Sequence, residues 1–424
     1  MNQKTKFHYA WMILLALSII VGLGKGGLNN TAGQFLPFVT QDLGIGMGKL
    51  SLYFSVSAVV TMLFLPIGGK LMAKYDTRFI LVVGILLQGG AFALFGAMSA
   101  VWGWYLLAVP LAVGGVFITV IAGPVLINQW FKKKNGLALG ILSAAGGLLG
   151  AIVQPITGSM IENEGWRFAY IALGVAIIVI VVPIILLIIK RSPQAQGLQP
   201  YGAEESASNA GQQDTANQGI SMKIARKSTA FYALVLFFFF ITSVASFSMH
   251  IPQFLVDKGF EASEAGNIMG IYMVGVLVGS LAIGVLTDKI GSKMTAALAM
   301  LAGVVATGLL MSVSSSTAIL TFAVGLFGVI SSSIGTLGPA LASSLFGNKE
   351  YSQIYSTASM GLAISSIVAI PTYGFIYDQF NNYSIALVAI IVMLLVNIVI
   401  VFVAFKNKND LVKDGHWNSE TEEA

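Results

Sequence analysis

Several residue types that usually build active sites are scarce or missing in this 424-residue chain. It contains no cysteine, so disulfides, thiolate nucleophiles and cysteine-ligated metals are excluded. Only three histidines occur, which disfavours a structural or catalytic zinc site. Charged residues make up 10% of the chain, whereas soluble domains carry about a quarter. Most of the chain is therefore expected to avoid water.

Acidic residues are missing from the middle of every apolar run. All 18 Asp and Glu residues fall in predicted loops, span ends, the linker or the tails. Proton-driven exporters of cations need a buried acid that binds the proton and the cation in turn, so export of cationic drugs is disfavoured. The sequence also lacks the His-Glu-x-x-His, Gly-x-Ser-x-Gly and phosphate-loop patterns. We expect neither enzymatic activity nor a bound cofactor.

Apolar runs long enough to cross a bilayer recur from end to end. Hydrophobic residues make up 56% of the chain, and a helix needs about 20 of them to span the hydrocarbon core. We predict an all-α membrane protein with twelve transmembrane helices in two six-helix halves. The predicted spans are 10–37, 49–73, 78–98, 102–130, 136–160 and 166–190, then 229–255, 264–287, 293–313, 317–346, 352–377 and 383–405.

A polar stretch separates the two sets of six spans. Residues 191–228 carry few large apolar side chains, which is typical of a flexible linker. The predicted organisation is an N-terminal six-helix half at 1–190, a linker at 191–228, a C-terminal six-helix half at 229–405 and a tail at 406–424.

The basic residues orient the chain. Nineteen of the 23 Lys and Arg residues fall on the side of the N-terminus, and Lys25 lies inside a span. The other three are Lys49, Arg167 and Lys258. Because cytoplasmic loops are enriched in Lys and Arg, both termini and the linker are predicted to be cytoplasmic. We expect a multi-pass protein of the plasma membrane that functions as a monomer in the lipid bilayer and has no nucleic-acid partner.

The two halves share an internal repeat. The stretch 69–78 aligns with 284–293, and each copy lies between the second and third spans of its half. A duplicated six-helix unit is typical of transporters that rock one half against the other around a central site.

These residues resemble the major facilitator superfamily. The second copy, Gly-Val-Leu-Thr-Asp-Lys-Ile-Gly-Ser-Lys from Gly284, is similar to its loop motif, and the first copy is degenerate. Segments at 33–37, 74–78, 130–140, 191–200 and 250–260 resemble its monocarboxylate and oxalate/formate antiporter branch. The resemblance implies the major facilitator fold and secondary transport by alternating access, as an antiporter or a proton symporter.

One departure from that branch bears on the substrate. Members that carry carboxylates often place an Arg where this chain has Ser280, and the stretch 356–366 lacks the lysine of oxalate-type members. A dianion held by two cations is therefore disfavoured. A monoanion, or a polar neutral molecule, fits better.

Lys25 is the leading candidate for a substrate contact. A cation at the centre of a membrane helix costs roughly 2.5–3.5 kcal/mol, so it needs a reason to be there. Asn29 lies one turn further along the same face of the predicted helix. The functional interpretation is a counter-charge for a substrate carboxylate. The alternative is that the first span ends near Leu28 and Lys25 extends to the outer interface.

Other polar residues are weaker candidates for the substrate site. His250 lies near the outer end of the seventh span, where it would bind an anion, relay a proton or simply bond to backbone. Tyr272 and Ser280, and also Asn30 and Gln154, are candidates for lining a cavity, with helix–helix hydrogen bonds as the alternative.

The repeated loops predict a cytoplasmic gate. A carboxylate and cations at helix ends can latch two halves in one state and release them in the other. The predicted gating residues are Gly69, Arg78, Gly284, Asp288, Lys289 and Lys293. In the alternative interpretation these charges only set the topology.

The predicted function is secondary active transport of a small organic anion, monocarboxylate-like, by alternating access. Transport of a polar uncharged solute or drug-like compound is the first alternative. A membrane sensor that has the fold without transport is the second.

Overall fold

The structure is a computed structural model that describes residues 8–190, 192–202, 219–312 and 316–413. Ten helices in these ranges are long and apolar enough to cross a membrane. They are α1 (Tyr9–Leu43), α2 (Met47–Lys74), α3 (Thr77–Phe95), α4 (Val101–Trp130), α5 (Asn135–Ile188), α6 (Thr229–Met249), α7 (Ala262–Ser312), α8 (Thr317–Phe346), α9 (Tyr351–Phe380) and α10 (Ser384–Lys413).

Two of these helices are long enough to hold two spans each. α5 has 54 residues and α7 has 51, whereas about 20 suffice for one crossing. A glycine interrupts each of them, Gly165 at φ 84° and Gly291 at φ 79°, a backbone region that side chains with a Cβ rarely adopt. Dividing α5 and α7 at these glycines yields twelve apolar segments in the described ranges. The predicted all-α fold with twelve spans is confirmed.

α1 is longer and less regular than predicted. The sequence places its end at Pro37, but the helix continues to Leu43 and stops at Gly44, whose φ of 61° is the left-handed conformation common after helix ends. Within α1 the segment Leu23–Asn29 is a π-helix, followed by a turn at Asn30 and Thr31.

α10 also continues beyond its predicted end at residue 405. Polarity marks where an apolar span ends, but it does not stop a helix that has other partners. Here the Lys408 ammonium donates to the Ser344 carbonyl at 2.6 Å, and the Asn407 side chain accepts from the Ala230 amide at 3.0 Å. Residues 406–413 of the predicted tail are thus helical, and the rest of the tail lies outside the described residues.

Both described ends of the predicted linker are attached to the helices. The Tyr201 amide donates to the Trp130 carbonyl at 2.8 Å, next to the loop between α4 and α5. The Ile220 amide donates to the Phe346 carbonyl at 3.0 Å, and the Met222 amide to the Glu350 carboxylate at 2.7 Å. The intervening residues 203–218 lie outside the described part of the chain.

The chain divides into two compact units. The first comprises most of the chain up to Gly211 together with Glu261–Gly270, the start of α7. Within it, the Glu162 carboxylate accepts from the Ser263 amide at 2.8 Å. This contact satisfies an amide in the first turn of α7, where a negative charge is favoured.

The second unit comprises most of the chain from Gln212 onward together with Gly46–Ser51, which includes the start of α2. Within it, the Asp378 carboxylate accepts from the amides of Met47 at 2.6 Å and Gly48 at 2.8 Å. A carboxylate therefore caps the start of α2 as Glu162 caps that of α7.

Arg167 has a structural role at the opposite end of the first unit from the cation-rich loops. Its guanidinium donates to the carbonyls of Gly96 at 3.2 Å and Met98 at 2.8 Å, and lies 3.5 Å from the Asp42 carboxylate. It also stacks over the Trp166 ring at 4.2 Å. These contacts explain why a cation stands on the side that has few of them.

The absence of cysteine allows the predicted orientation to be tested by single-cysteine labelling. Lys258 and Lys289 are both exposed, on predicted opposite sides of the membrane. We expect Lys258→Cys to react with an impermeant maleimide in intact cells, and Lys289→Cys to react only after permeabilisation. The reverse pattern would contradict cytoplasmic termini.

Candidate functional site

Lys25 lies near the middle of α1, with 16 residues before it and 18 after it. At 1.5 Å per residue the nearer end of the helix is about 24 Å away, beyond the reach of the side chain. The helix does not end near Leu28, so a short first span does not account for Lys25. The side chain is exposed, and within the described ranges its ammonium has no hydrogen-bond or ion-pair partner.

Small residues create the space in which Lys25 lies. A Cβ added at Gly26 would lie 2.6 Å from the Gly150 nitrogen and would also collide with the Gly146 carbonyl. α1 and α5 therefore touch backbone to backbone, a packing that membrane helices achieve with glycine. A Cβ added at Gly146 would lie 3.5 Å from the Lys25 Cδ, so the lysine stem runs across this glycine.

The lysine sits in the π-helical segment of α1. Hydrogen bonds here join residues five apart, as when the Asn30 amide donates to the Lys25 carbonyl at 2.9 Å. Such segments are rare and are often found at functional sites. Lys25 and Asn29 are exposed, whereas the other five residues of Leu23–Asn29 are buried. The segment therefore presents two polar side chains, one turn apart, on an otherwise closed surface.

Gln88 of α3 connects the ends of this segment. Its side chain is fully buried, and its amide nitrogen donates to the Gly24 carbonyl and to the Asn29 side-chain oxygen, both at 3.1 Å. The Gln88 oxygen is buried without a hydrogen-bond partner in the described part of the chain. Gln88 thus joins the Asn29 side chain to the backbone at the other end of the same segment.

A second π-helical segment lies against the first. It spans Val116–Ile121 in α4. A Cβ added at Gly24 would lie 2.7 Å from Ile118 and 3.3 Å from Thr119, so the two segments pack directly at this glycine. Two widened turns and the Gln88 side chain consequently meet within one part of the first unit.

The polar residues next along α1 form helix–helix bonds. The Gln34 side chain donates to the Gln154 backbone carbonyl at 3.0 Å and also bonds the Gln154 side chain. The Gln154 side chain donates to the Asn30 carbonyl at 2.9 Å. Gln154 therefore fastens α1 to α5, as the alternative interpretation anticipated.

His250 is fully buried in the second unit with both ring nitrogens bonded. Nε2 lies 2.8 Å from the Ile370 carbonyl, which only accepts, so Nε2 carries the proton. Nδ1 then accepts from the Tyr383 hydroxyl at 2.9 Å. This is the backbone-bonded interpretation of His250, and its substrate role stays a prediction.

The other two candidates also belong to the second unit. Tyr272 is buried, and Ser248 and Ser331 hydrogen-bond its side chain. The Ser280 hydroxyl donates to the Val276 carbonyl of its own helix at 2.8 Å. The structure therefore brings Lys25 together with Asn29, whereas His250, Tyr272 and Ser280 lie in the other unit.

Of the predicted gating residues of the first repeat, Arg78 bonds at two helix ends, and its neighbour Asp76 is one of the partners. Asp76 accepts from the Arg78 amide at 2.9 Å and so caps the start of α3. The Arg78 side chain donates to the Ile189 carbonyl just beyond the end of α5, at 2.7 Å. Gly69 is exposed, with open space around it.

The gating residues of the second repeat surround the break in α7. Gly284 has open space beside it, and Asp288 and Lys289 are exposed. The Lys293 ammonium lies 4.5 Å from the centre of the Phe402 ring, a cation–π contact with α10. The gating role of both repeats stays a prediction.

The sequence interpretation missed Gln88 and the π-helical segments. A lone amide in an apolar span, next to Gly89 and Gly90, was the available signal for Gln88. The glycines around Lys25 marked a deformable helix but not its widened turn. In the described ranges, no group of three or more His, Asp and Glu residues is arranged to hold a metal ion.

A family model described as Major Facilitator Superfamily matches residues 14–266 and 257–419. "Probable transporter MCH2" of Saccharomyces cerevisiae is 25% identical over 67% of this chain and 58% of its own length. "Probable hexose phosphate transport protein" of Chlamydia pneumoniae is 24% identical over 68% and 66%. "Probable sulfoacetate transporter SauU" of Cupriavidus necator is 25% identical over 60% and 59%. The chain thus spans less than two thirds of the length of these three relatives.

Solved structures are similar over nearly the whole chain. A bacterial homolog to the human lysosomal transporter Spinster, inward-facing and occupied, has a TM-score of 0.72 at 14% identity, covering 94% of this chain and 97% of that one. At this identity the likeness shows the fold alone. The relatives are transporters, not enzymes, which confirms the prediction that this chain is not an enzyme. Because their names mention hexose phosphate and sulfoacetate, the monocarboxylate branch stays a prediction.

The close approach at Gly26 predicts sensitivity to a single methyl group. Gly26→Ala should lower the free energy of unfolding by about 1–3 kcal/mol, because the added Cβ overpacks the α1–α5 contact. The measurement is the melting temperature of the purified protein in detergent. Gly90→Ala is the matched control, since nothing lies within 4 Å of a Cβ at that position. Equal melting temperatures for the two variants would contradict the packing.

The buried bond at His250 predicts a stability effect. Tyr383→Phe leaves Nδ1 unpaired and should cost about 1–3 kcal/mol of unfolding free energy, again read from the melting temperature. Tyr232→Phe, at a side chain 59% exposed, is the control. A changed substrate affinity with an unchanged melting temperature would instead favour a substrate role for His250.

Proposed function

Because the chain belongs to the Major Facilitator Superfamily, we propose that this multi-pass membrane transporter moves a small organic anion by alternating access, with Lys25 as the counter-charge. The observation that supports this most directly is an exposed ammonium in the middle of α1 without a partner in the described ranges. A charge at that depth is costly, and an anionic cargo offsets the cost each time it binds.

The placement of the acids supports an anion over a cation. Every Asp and Glu in the described ranges lies in a loop, near a helix end or close to one of the two glycine breaks. Glu162 and Asp378 are engaged as helix caps. The middle of α1 therefore carries a positive charge that described carboxylates do not balance.

The names of the relatives are consistent with this class of cargo. Hexose phosphates and sulfoacetate are small organic anions. One ammonium and one amide suit a cargo with a single anionic group, whether carboxylate, sulfonate or phosphate. Within this class, the sequence resemblance favours a monocarboxylate. We further propose exchange or proton symport across the plasma membrane, with both termini cytoplasmic.

The test is transport by the purified protein in liposomes. The labelled panel comprises lactate, sulfoacetate, glycerol 3-phosphate and glucose 6-phosphate, with glycerol as the uncharged member. Lys25→Met should raise the KM for the transported anion about tenfold or more, because a hydrogen bond to a charged group contributes about 1.5–3 kcal/mol. Lys25→Arg should retain much of the affinity, since it keeps the charge.

Lys258→Met serves as the matched control, because it removes an exposed lysine directly after the short helix Ile251–Asp257. It should leave the KM unchanged. An unchanged KM in Lys25→Met for every transported anion would overturn the counter-charge role. Uptake of glycerol alone would favour the uncharged-solute alternative.

A further inference from the structure

We propose that Gln88 is a positioning residue that fixes the Asn29 amide, so that the surface shared by Lys25 and Asn29 offers hydrogen-bond donors to the cargo. This inference rests on the proposed anion transport and adds a residue that determines its specificity. Gln88 need not touch the cargo, because it acts through Asn29.

The backbone carbonyl of Gly24 determines the orientation of both amides. A carbonyl only accepts hydrogen bonds, so the Gln88 atom that lies 3.1 Å from it must be the nitrogen. The same nitrogen lies 3.1 Å from the Asn29 side chain, so the Asn29 atom that it meets must be the oxygen. The Asn29 nitrogen, with its two protons, is thereby directed away from Gln88.

The consequence is a surface on which Lys25 and Asn29 both offer hydrogen-bond donors. The Lys25 ammonium has three donor protons and no acceptor, and the Asn29 NH₂ group has two donors. Both side chains are exposed on the π-helical segment, whose remaining residues are buried. With the Asn29 oxygen engaged by Gln88, carboxylate, sulfonate and phosphate groups are matched, whereas a cation or a pure donor is not.

The packing around Gln88 fits a positioning role. A Cβ added at Gly114 would lie 2.5 Å from the Gln88 nitrogen of the main chain, and one at Gly24 would lie 3.3 Å from its side-chain oxygen. The side chain is fully buried and is therefore held in one place. Its orphaned oxygen indicates that the Gly24 and Asn29 bonds determine its orientation.

A double-mutant cycle separates this role from general support of the helix. Gln88→Met has a similar length and no donor, so it frees the Asn29 amide to turn. It should raise the KM for the transported anion about three- to tenfold, the size of one neutral hydrogen bond, with little change in the maximal rate. Asn29→Ala should have a comparable effect. The double variant should match Asn29→Ala alone, because Gln88 then has nothing to orient.

Gln88→Glu supplies a sign test. The new carboxylate accepts hydrogen bonds, so Asn29 should turn its NH₂ group toward it and present its oxygen to the cargo. The KM for the anion should therefore rise more than in Gln88→Met. When Asn29→Ala is also present, the difference in KM between Gln88→Met and Gln88→Glu should become smaller.

The probes are lactate and glycerol 3-phosphate, each with a single anionic group, with uptake measured in liposomes and the melting temperature recorded for each variant. Gln34→Met is the matched control, since it removes another buried glutamine amide that bonds α5 without touching Asn29. It should lower the melting temperature and leave the KM unchanged. Lys25→Met is assayed alongside.

If Gln88→Met raised the KM by the same factor in the native chain and in Asn29→Ala, the positioning role would be overturned. Equal factors mean that the two effects are additive, as expected for a purely structural contribution. If Lys25→Met raises the KM while the cycle is additive, only the role of Gln88 fails. If Lys25→Met leaves the KM unchanged, the proposed function itself fails. If the Gln88 and Asn29 effects are non-additive and Lys25→Met raises the KM, both the positioning role and the proposed function are supported.

Discussion

In hydrocarbon every backbone carbonyl needs a hydrogen-bond donor, because water is not there to supply one. The region around Lys25 depends on this constraint. The widened turn at Leu23–Asn29 changes the hydrogen-bonding of α1, and a side chain from α3 supplies an extra donor to the Gly24 carbonyl. The same nitrogen bonds Asn29, so backbone satisfaction and the orientation of a site residue are coupled. A change in the hydrogen bond to the Gly24 carbonyl is therefore expected to change the orientation of the Asn29 side chain.

Glycine makes this arrangement possible. At Gly26 the backbones of α1 and α5 touch, and at Gly24 the two π-helical segments touch. In the same region the stem of Lys25 runs along the surface of Gly146. Among the described residues, Lys25 contacts the helix packing but has no partner charge. An ammonium without a partner retains its donor protons, which is consistent with the proposed anionic cargo.

Much of the architecture follows from the apolar composition and from the length and spacing of the apolar runs. The twelve apolar segments were predictable, because a bilayer demands long apolar helices. The ends of α1 and α10 were not, because polarity shows where an apolar run stops and not where helical hydrogen bonds stop. For α10, the contacts at Asn407 and Lys408 come from distant parts of the chain. Such long-range partners leave no local pattern.

The candidate site divides in the same way. The sequence by itself determined that Lys25 is an anomaly, since a charge within an apolar run stands out wherever the chain folds, and it placed Asn29 one helical turn away. Only the tertiary structure decided that Gln88, 59 residues beyond Asn29, joins them, and that His250 is saturated by Tyr383 and a carbonyl. The physical reason is that a hydrogen bond needs two groups within about 3 Å, and a linear pattern does not contain distances between helices.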